Sequence, residues 1–93
     1  MPSIKTVERQ LGNLEAFDVA FHHLDGRDVR SDFDGIPGYS FDRAAKNSMT
    51  IAAWKEQRFK KLYPGFECEV LDGRGRPCHG GCLLSTVRES YFD

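Results

Sequence analysis

Apolar and polar residues alternate from Phe17 to His23, with Phe17, Val19 and Phe21 on one face. That is the period of a half-buried strand built from good β-formers. Asp25-Gly26 follows, a pair that tolerates the positive φ of a tight hairpin turn. Val29, Ser31 and Phe33 then resume the alternation and read as the return strand. Further on, Phe66, Cys68 and Val70 alternate with Glu67 and Glu69, the pattern of an antiparallel strand with one covered face. Asp72-Gly73-Arg74-Gly75 supplies a second tight turn. Residues 24–27 and 71–74 are the same tetrapeptide, Leu-Asp-Gly-Arg. Four residues are too few to show a duplication, so they are taken as two independent turns.

Between these strands the period changes. The main helix is expected from about Thr50, an N-cap, to Leu62, with Pro64-Gly65 as its stop. Ile51, Trp54, Phe59 and Leu62 make a broad apolar arc, and Lys55 and Arg58 fall inside it. Their stems either snorkel over the sheet edge or belong to an exposed basic-aromatic surface. Ser3 caps a first helix with Ile4, Val7 and Leu11 inward and Gly12-Asn13 at its end; a strand is the competing reading. Residues 39–47 read as a third strand or as a short helix capped by Ser40. Leu83, Leu84, Val87 and Tyr91 suit a final helix, with Thr86 and Glu89 as a late capping box. The expected fold is α+β, a two-layer sandwich. A small antiparallel sheet of three to four strands carries one main helix packed across it, around Trp54, Phe17, Phe21 and Phe66.

Composition narrows the class. The chain has 93 residues, 40% hydrophobic and 12% aromatic, with a net charge of −1. One globular domain, 1–93, accounts for that, and disorder does not. A chain of this size buries only about 60–70% of its unfolded surface, which leaves little room for a deep cavity and argues against an enzyme. No apolar run is long enough to span a bilayer, and the start lacks the apolar stretch of a signal peptide. Three cysteines at irregular spacing are not a disulfide framework. A soluble protein of the reducing cytoplasm is the expectation, without cofactor or membrane contact.

Charge is uneven. From Asp18 to Asp42 six acids stand against two bases, and from Lys55 to Lys61 four bases stand against Glu56 alone. Trp54-Lys55-Glu56-Gln57-Arg58-Phe59-Lys60-Lys61 interleaves cations with rings, which nucleic-acid binding uses for phosphates and bases. An ordinary amphipathic helix looks the same, and a pI near 6.3 weighs against a dedicated binder. Asp25, Asp28, Asp32 and Asp34 offer the opposite reading, an acidic row imitating phosphates; Arg27 and Arg30 interrupt it.

Catalytic patterns are weak. Cys78-His79-Gly80-Gly81-Cys82 holds zinc-ligand residue types, with Cys68 as a possible third sulfur. Three residues separate its cysteines rather than two, and Cys68 sits on an apolar strand face, so structural cysteines are the better reading. His22 and His23 point to opposite faces of a strand and cannot share an ion. Residues 73–78 lack the third glycine and following helix of a dinucleotide loop. Ser40, Ser48, Ser85 and Ser90 have no identifiable base.

The expected function is a small non-enzymatic protein-interaction module, an inhibitor or accessory protein of phage or mobile-element type. It would dock by charge steering on a protein or nucleoprotein partner. The binding residues are Lys55, Arg58 and Lys61 on the helix with Arg27 and Arg74 at the turn tips, and Tyr39, Tyr63 and Tyr91 are anchor candidates. The alternatives are a nucleic-acid-binding domain using helix 54–61, and a metal or thiol protein centred on Cys78, His79 and Cys82. A homodimer through a sheet edge is a further possibility, since a short sheet has edges to protect.

Overall fold

The computed structural model describes residues 3–27, 29–30 and 35–92. Helix α1 (Ile4–Glu15) begins at Ser3, whose side chain accepts from the Thr6 N–H. It does not stop at Gly12-Asn13. Val7, Leu11 and Glu15 are buried along one face, and that burial outweighs the cost of about 1 kcal/mol for a mid-helix glycine. The end comes at Ala16, which takes the left-handed conformation (φ 65°) and donates its N–H to Gly12 O.

Strands β1 (Asp18–His23) and β2 (Phe66–Leu71) form an antiparallel pair, with Val19 opposite Val70 and Phe21 opposite Cys68. Among the described residues the sheet has two strands, not the three to four expected. The first turn does close: Gly26 N–H donates to His23 O and His23 N–H to Arg27 O, with Gly26 at φ 90°. Beyond it Val29 and Arg30 are not strand, and Ser31 and Phe33 lie outside the described residues. One reason is local. The Phe21 N–H, which faces away from β2, donates to Glu8 Oε2 of α1, so a side chain takes the place of a neighbouring strand's carbonyl. On the other side of the sheet, β2 gains one rung where Cys78 N–H donates to Val70 O and Leu71 pairs with Pro77.

The identical tetrapeptides make different turns. The left-handed glycine is Gly26 in the first and Gly75 in the second, so the frames differ by two residues. Gly73 is held by space instead: a Cβ there would lie 2.1 Å from the Ser90 carbonyl oxygen.

The main helix spans 51–62 as expected, capped by the Thr50 side chain on the Ala53 N–H. It comprises α2 (Ile51–Trp54), a π-helical turn (Lys55–Phe59) and α3 (Lys60–Leu62). In a regular helix residues five apart diverge by about 140°. The wider π turn brings Trp54 over Phe59, with ring centroids 6.0 Å apart. These rings lie along the sheet, with Phe17 against Trp54 at 5.2 Å and Phe21 against Phe59 and Tyr63 at 5.1 and 5.2 Å. Helix α4 (Leu84–Glu89) and a 3-10 turn (Ser90–Phe92) close the chain, and α4 buries Leu84 and Val87. Residues 39–47 form neither strand nor helix. The result is α+β: a two-stranded sheet with helices packed on it. No helix among the described residues is long and apolar enough to cross a membrane.

Candidate functional site

A cluster of charged groups lies inside the molecule, around a residue the sequence did not single out. Glu15, the last residue of α1, is completely buried. Its Oε1 accepts from the Ala45 N–H (2.8 Å) and from Arg88 Nη2 (2.9 Å). Its Oε2 accepts from the Tyr39 hydroxyl (2.5 Å) and from Arg58 Nη1 (2.9 Å). A carboxylate has about four lone-pair positions, and all are filled. Burial, and then the hydrogen bond to Glu15, push the Tyr39 phenol well above its ordinary range, so it stays a neutral donor. Trp54 Nε1–H donates to the same hydroxyl at 3.1 Å.

Each arginine is tied down further. Arg58 also donates to Arg43 O at 2.6 Å and stacks over Phe41 at 4.4 Å. Arg88 donates to the Glu15, Ala45 and Asn47 oxygens at 2.7, 2.8 and 2.7 Å. The cluster joins α1, residues 39–47, the 51–62 helix and α4. A buried carboxylate saturated by fixed donors has no lone pair left to accept a proton from a substrate. Its chemistry is structural, and removing one partner of such a cluster costs about 3–5 kcal/mol.

The binding residues chosen from sequence separate into four places. Arg58 belongs to the Glu15 cluster. Lys55 and Lys60 face Glu67 of β2 at 4.0 and 2.9 Å. Burial raises the Glu67 pKa, but the bond from Lys60, the Cys68 N–H and the nearby charges outweigh it and hold the carboxyl below its usual value. Lys61 is exposed at the end of the same helix. Arg27 and Arg74 stand on turns at opposite ends of the sheet, about 17 Å apart along six-residue strands. Lys61 and Arg27 share one end, because β2 begins beside His23 just after the helix stops. Arg74 is at the other. Of the acidic row, Asp25 fixes its own turn by accepting from Arg27 N and Nε at 3.1 and 2.7 Å. Asp28, Asp32 and Asp34 lie outside the described residues.

The anchor candidates close the interior. Tyr39 and Tyr63 are buried, and the half-buried Tyr91 hydroxyl bonds Leu71 O and the Asp18 N–H. Leu24 is the exposed apolar side chain at a turn tip, 66% accessible. Of the residues whose backbone faces away from the paired strand, Val19, Phe21, Cys68 and Val70 are buried, while His23 and Phe66 at one end of the sheet are half-buried.

Residues 78–82 act through their backbone. Cys82 O accepts from the Ile51 N–H and Gly80 O from the Ala52 N–H, at 2.9 and 3.0 Å, so the glycine loop caps the main helix. In return Met49 O and Asn47 O accept from the Leu84 and Ser85 N–H groups of α4. The two helix starts cap each other, which is why Thr86 and Glu89 form no capping box and Leu83 has no side-chain cap. A Cβ on Gly80 would press on Ala52 at 3.2 Å. His79 Nδ1 accepts from Gly81 N–H at 3.1 Å. No group of three His, Cys, Asp or Glu among the described residues is placed to hold a metal ion.

Compared with known protein families, curated proteins and solved structures, the chain matches none.

Proposed function

We propose that this chain is a non-enzymatic interaction module, an inhibitor or accessory protein, that docks on a protein partner with the sheet end carrying the 24–27 turn. The observation behind this reading is the pairing of Leu24 and Arg27 on a turn held from beneath. His23 donates to Arg27 O, and the Asp25 carboxylate grips both the backbone and the side chain of Arg27. An apolar side chain beside a cation on a pre-ordered turn loses little conformational freedom on binding. Lys61, exposed at the same end, adds charge steering. Arg58 supports the scaffold rather than the contact, and Arg74 is too far away to share it.

The test is capture from the native cell with immobilised protein, comparing wild type with Leu24→Asp/Arg27→Glu. The reading expects one stoichiometric protein partner with wild type, lost by a variant whose melting curve is unchanged. Retention of that partner by the folded variant overturns it. So does salt-dependent retention of the protein on single-stranded DNA that Lys61→Glu abolishes, the behaviour of a nucleic-acid binder.

A further inference from the structure

Residues 24–27 and 71–74 share one sequence, so a difference in the chemistry of their Asp–Gly bonds comes from the fold. Glycine has no side chain to shield its backbone nitrogen, which lets that nitrogen reach the carboxyl carbon of a preceding aspartate. In both turns the aspartate is folded back along the chain. Asp25 Oδ1 accepts from the Arg27 N–H at 3.1 Å, and Asp72 Oδ1 from the Arg74 N–H at 2.8 Å. The carboxyl groups are placed alike; the glycines are not. Gly73 N–H donates to Ser90 Oγ at 2.9 Å, and Gly73 is packed against the Ser90 carbonyl. A further backbone donor, the Arg76 N–H at 3.0 Å, helps hold Asp72 as the anion, the less reactive form. Gly26 is exposed, with nothing among the described residues within 4 Å of where a Cβ would stand. Among the described residues the hydrogen bonds of 24–27 all end on residues 23–27. The Asp25–Arg27 ion pair has both partners exposed and is correspondingly weak. This turn can therefore open without disturbing another element, whereas freeing Gly73 means pulling it off the last turn of the chain.

We propose that the Asp25–Gly26 bond is a site of spontaneous isoaspartate formation, with water as the only co-reactant, and that the fold protects the identical Asp72–Gly73 bond. The Gly26 nitrogen attacks Cγ of the protonated Asp25 carboxyl. The N–Cγ bond forms, the Gly26 N–H proton and the carboxyl hydroxyl leave as water, and a five-membered succinimide remains. Water then adds across one of the two carbonyl–nitrogen bonds of that ring. Cleaving the Cγ–N bond restores aspartate. Cleaving the backbone C–N bond frees the α-carboxylate and runs the main chain through Cβ and Cγ. One water leaves and one returns, so the mass is unchanged, and nothing is oxidised or reduced. The added backbone carbon lies between Leu24 and Arg27 and moves one relative to the other. It falls in the surface to which docking is assigned above, but the chemistry does not depend on that reading.

The native full chain is aged in neutral buffer at body temperature, sampled over weeks and digested with trypsin. Cuts after Arg27, Arg30 and Arg74 place Asp25, Asp34 and Asp72 in separate peptides. Isoaspartate is located in each by enzymatic methylation with S-adenosylmethionine and by fragmentation mass spectrometry. Conversion is expected about tenfold faster at Asp25 than at Asp72, the factor set by first breaking the bond and packing that hold Gly73. In urea, where neither turn is folded, the two should convert at matching rates. The proposal is overturned if Asp72 keeps pace with Asp25 in the native chain. It is equally overturned if neither converts in the native chain while both do in urea, or if the difference between them persists in urea.

Discussion

The Tyr39 hydroxyl stands between a buried carboxylate and a buried indole, donating to Glu15 and accepting from Trp54. Tyr39→Phe keeps the ring and removes that link, leaving the Trp54 N–H and one Glu15 lone pair unmatched. Urea unfolding should show a loss of about 1–3 kcal/mol, the cost of orphaning buried polar groups. Glu8 gives a pH test. Burial raises its pKa more than the Phe21 N–H lowers it, with Asp18 adding repulsion and His22 attraction. A carboxylate whose folded pKa lies above its unfolded value loses stabilising effect as pH rises through that range. Glu8→Gln retains an acceptor for Phe21 without the charge. Relative to wild type, its melting temperature should therefore be more favourable at pH 7 than at pH 4. Glu15 and Arg88 did not stand out from the sequence, and Tyr39 and Arg58 stood out only as candidates for an outside contact. A lone glutamate before Ala-Phe reads as solvent-facing, and Tyr39, Arg58 and Arg88 are 24, 43 and 73 residues away. The one weak signal was Arg58 inside an apolar arc.

At the scale of elements, the 51–62 helix depends on its own cap and on a borrowed one. Thr50→Ala should cost about 1 kcal/mol, the usual value of a lost N-cap bond, while Cys82→Ser should leave the melting curve nearly unchanged because only the carbonyl caps. Gly73→Ala should do more damage than its surface position suggests. The new methyl meets the Ser90 carbonyl and displaces the turn bonded through Gly73 N–H to Ser90 Oγ at 2.9 Å. A loss of about 1–3 kcal/mol, the range for overpacking, is expected in thermal or urea melts. Elements with local signals were legible: Ser3 and Thr50 as caps, the alternation of β1 and β2, the stop at Pro64-Gly65. Those decided by distant partners were not. Gly12-Asn13 looked like a helix end, but Glu15 had to reach the interior. The return strand after Gly26 looked sound by alternation, yet Val29 and Arg30 are not strand and Glu8 holds the Phe21 N–H; Ser31 and Phe33 lie outside the described residues.

For the molecule as a whole, the charges divide by what surrounds them. Glu15, Arg58 and Arg88 bind four parts of the chain together, and Lys55 and Lys60 hold helix to sheet through Glu67. Leu24, Lys61 and Arg27, the last held by Asp25 of its own turn, are exposed at one end of the sheet. A composition rich in charge suggested an active exterior; the fold shows that much of the charge is architectural. The most direct check is urea unfolding of Arg58→Gln beside Lys61→Gln. Arg58→Gln should lose about 3–5 kcal/mol, as when a buried ion pair is broken, and Lys61→Gln should stay within about 0.5 kcal/mol of wild type. Equal, small losses for both would contradict the account, because Arg58 would then be a surface cation like its neighbour.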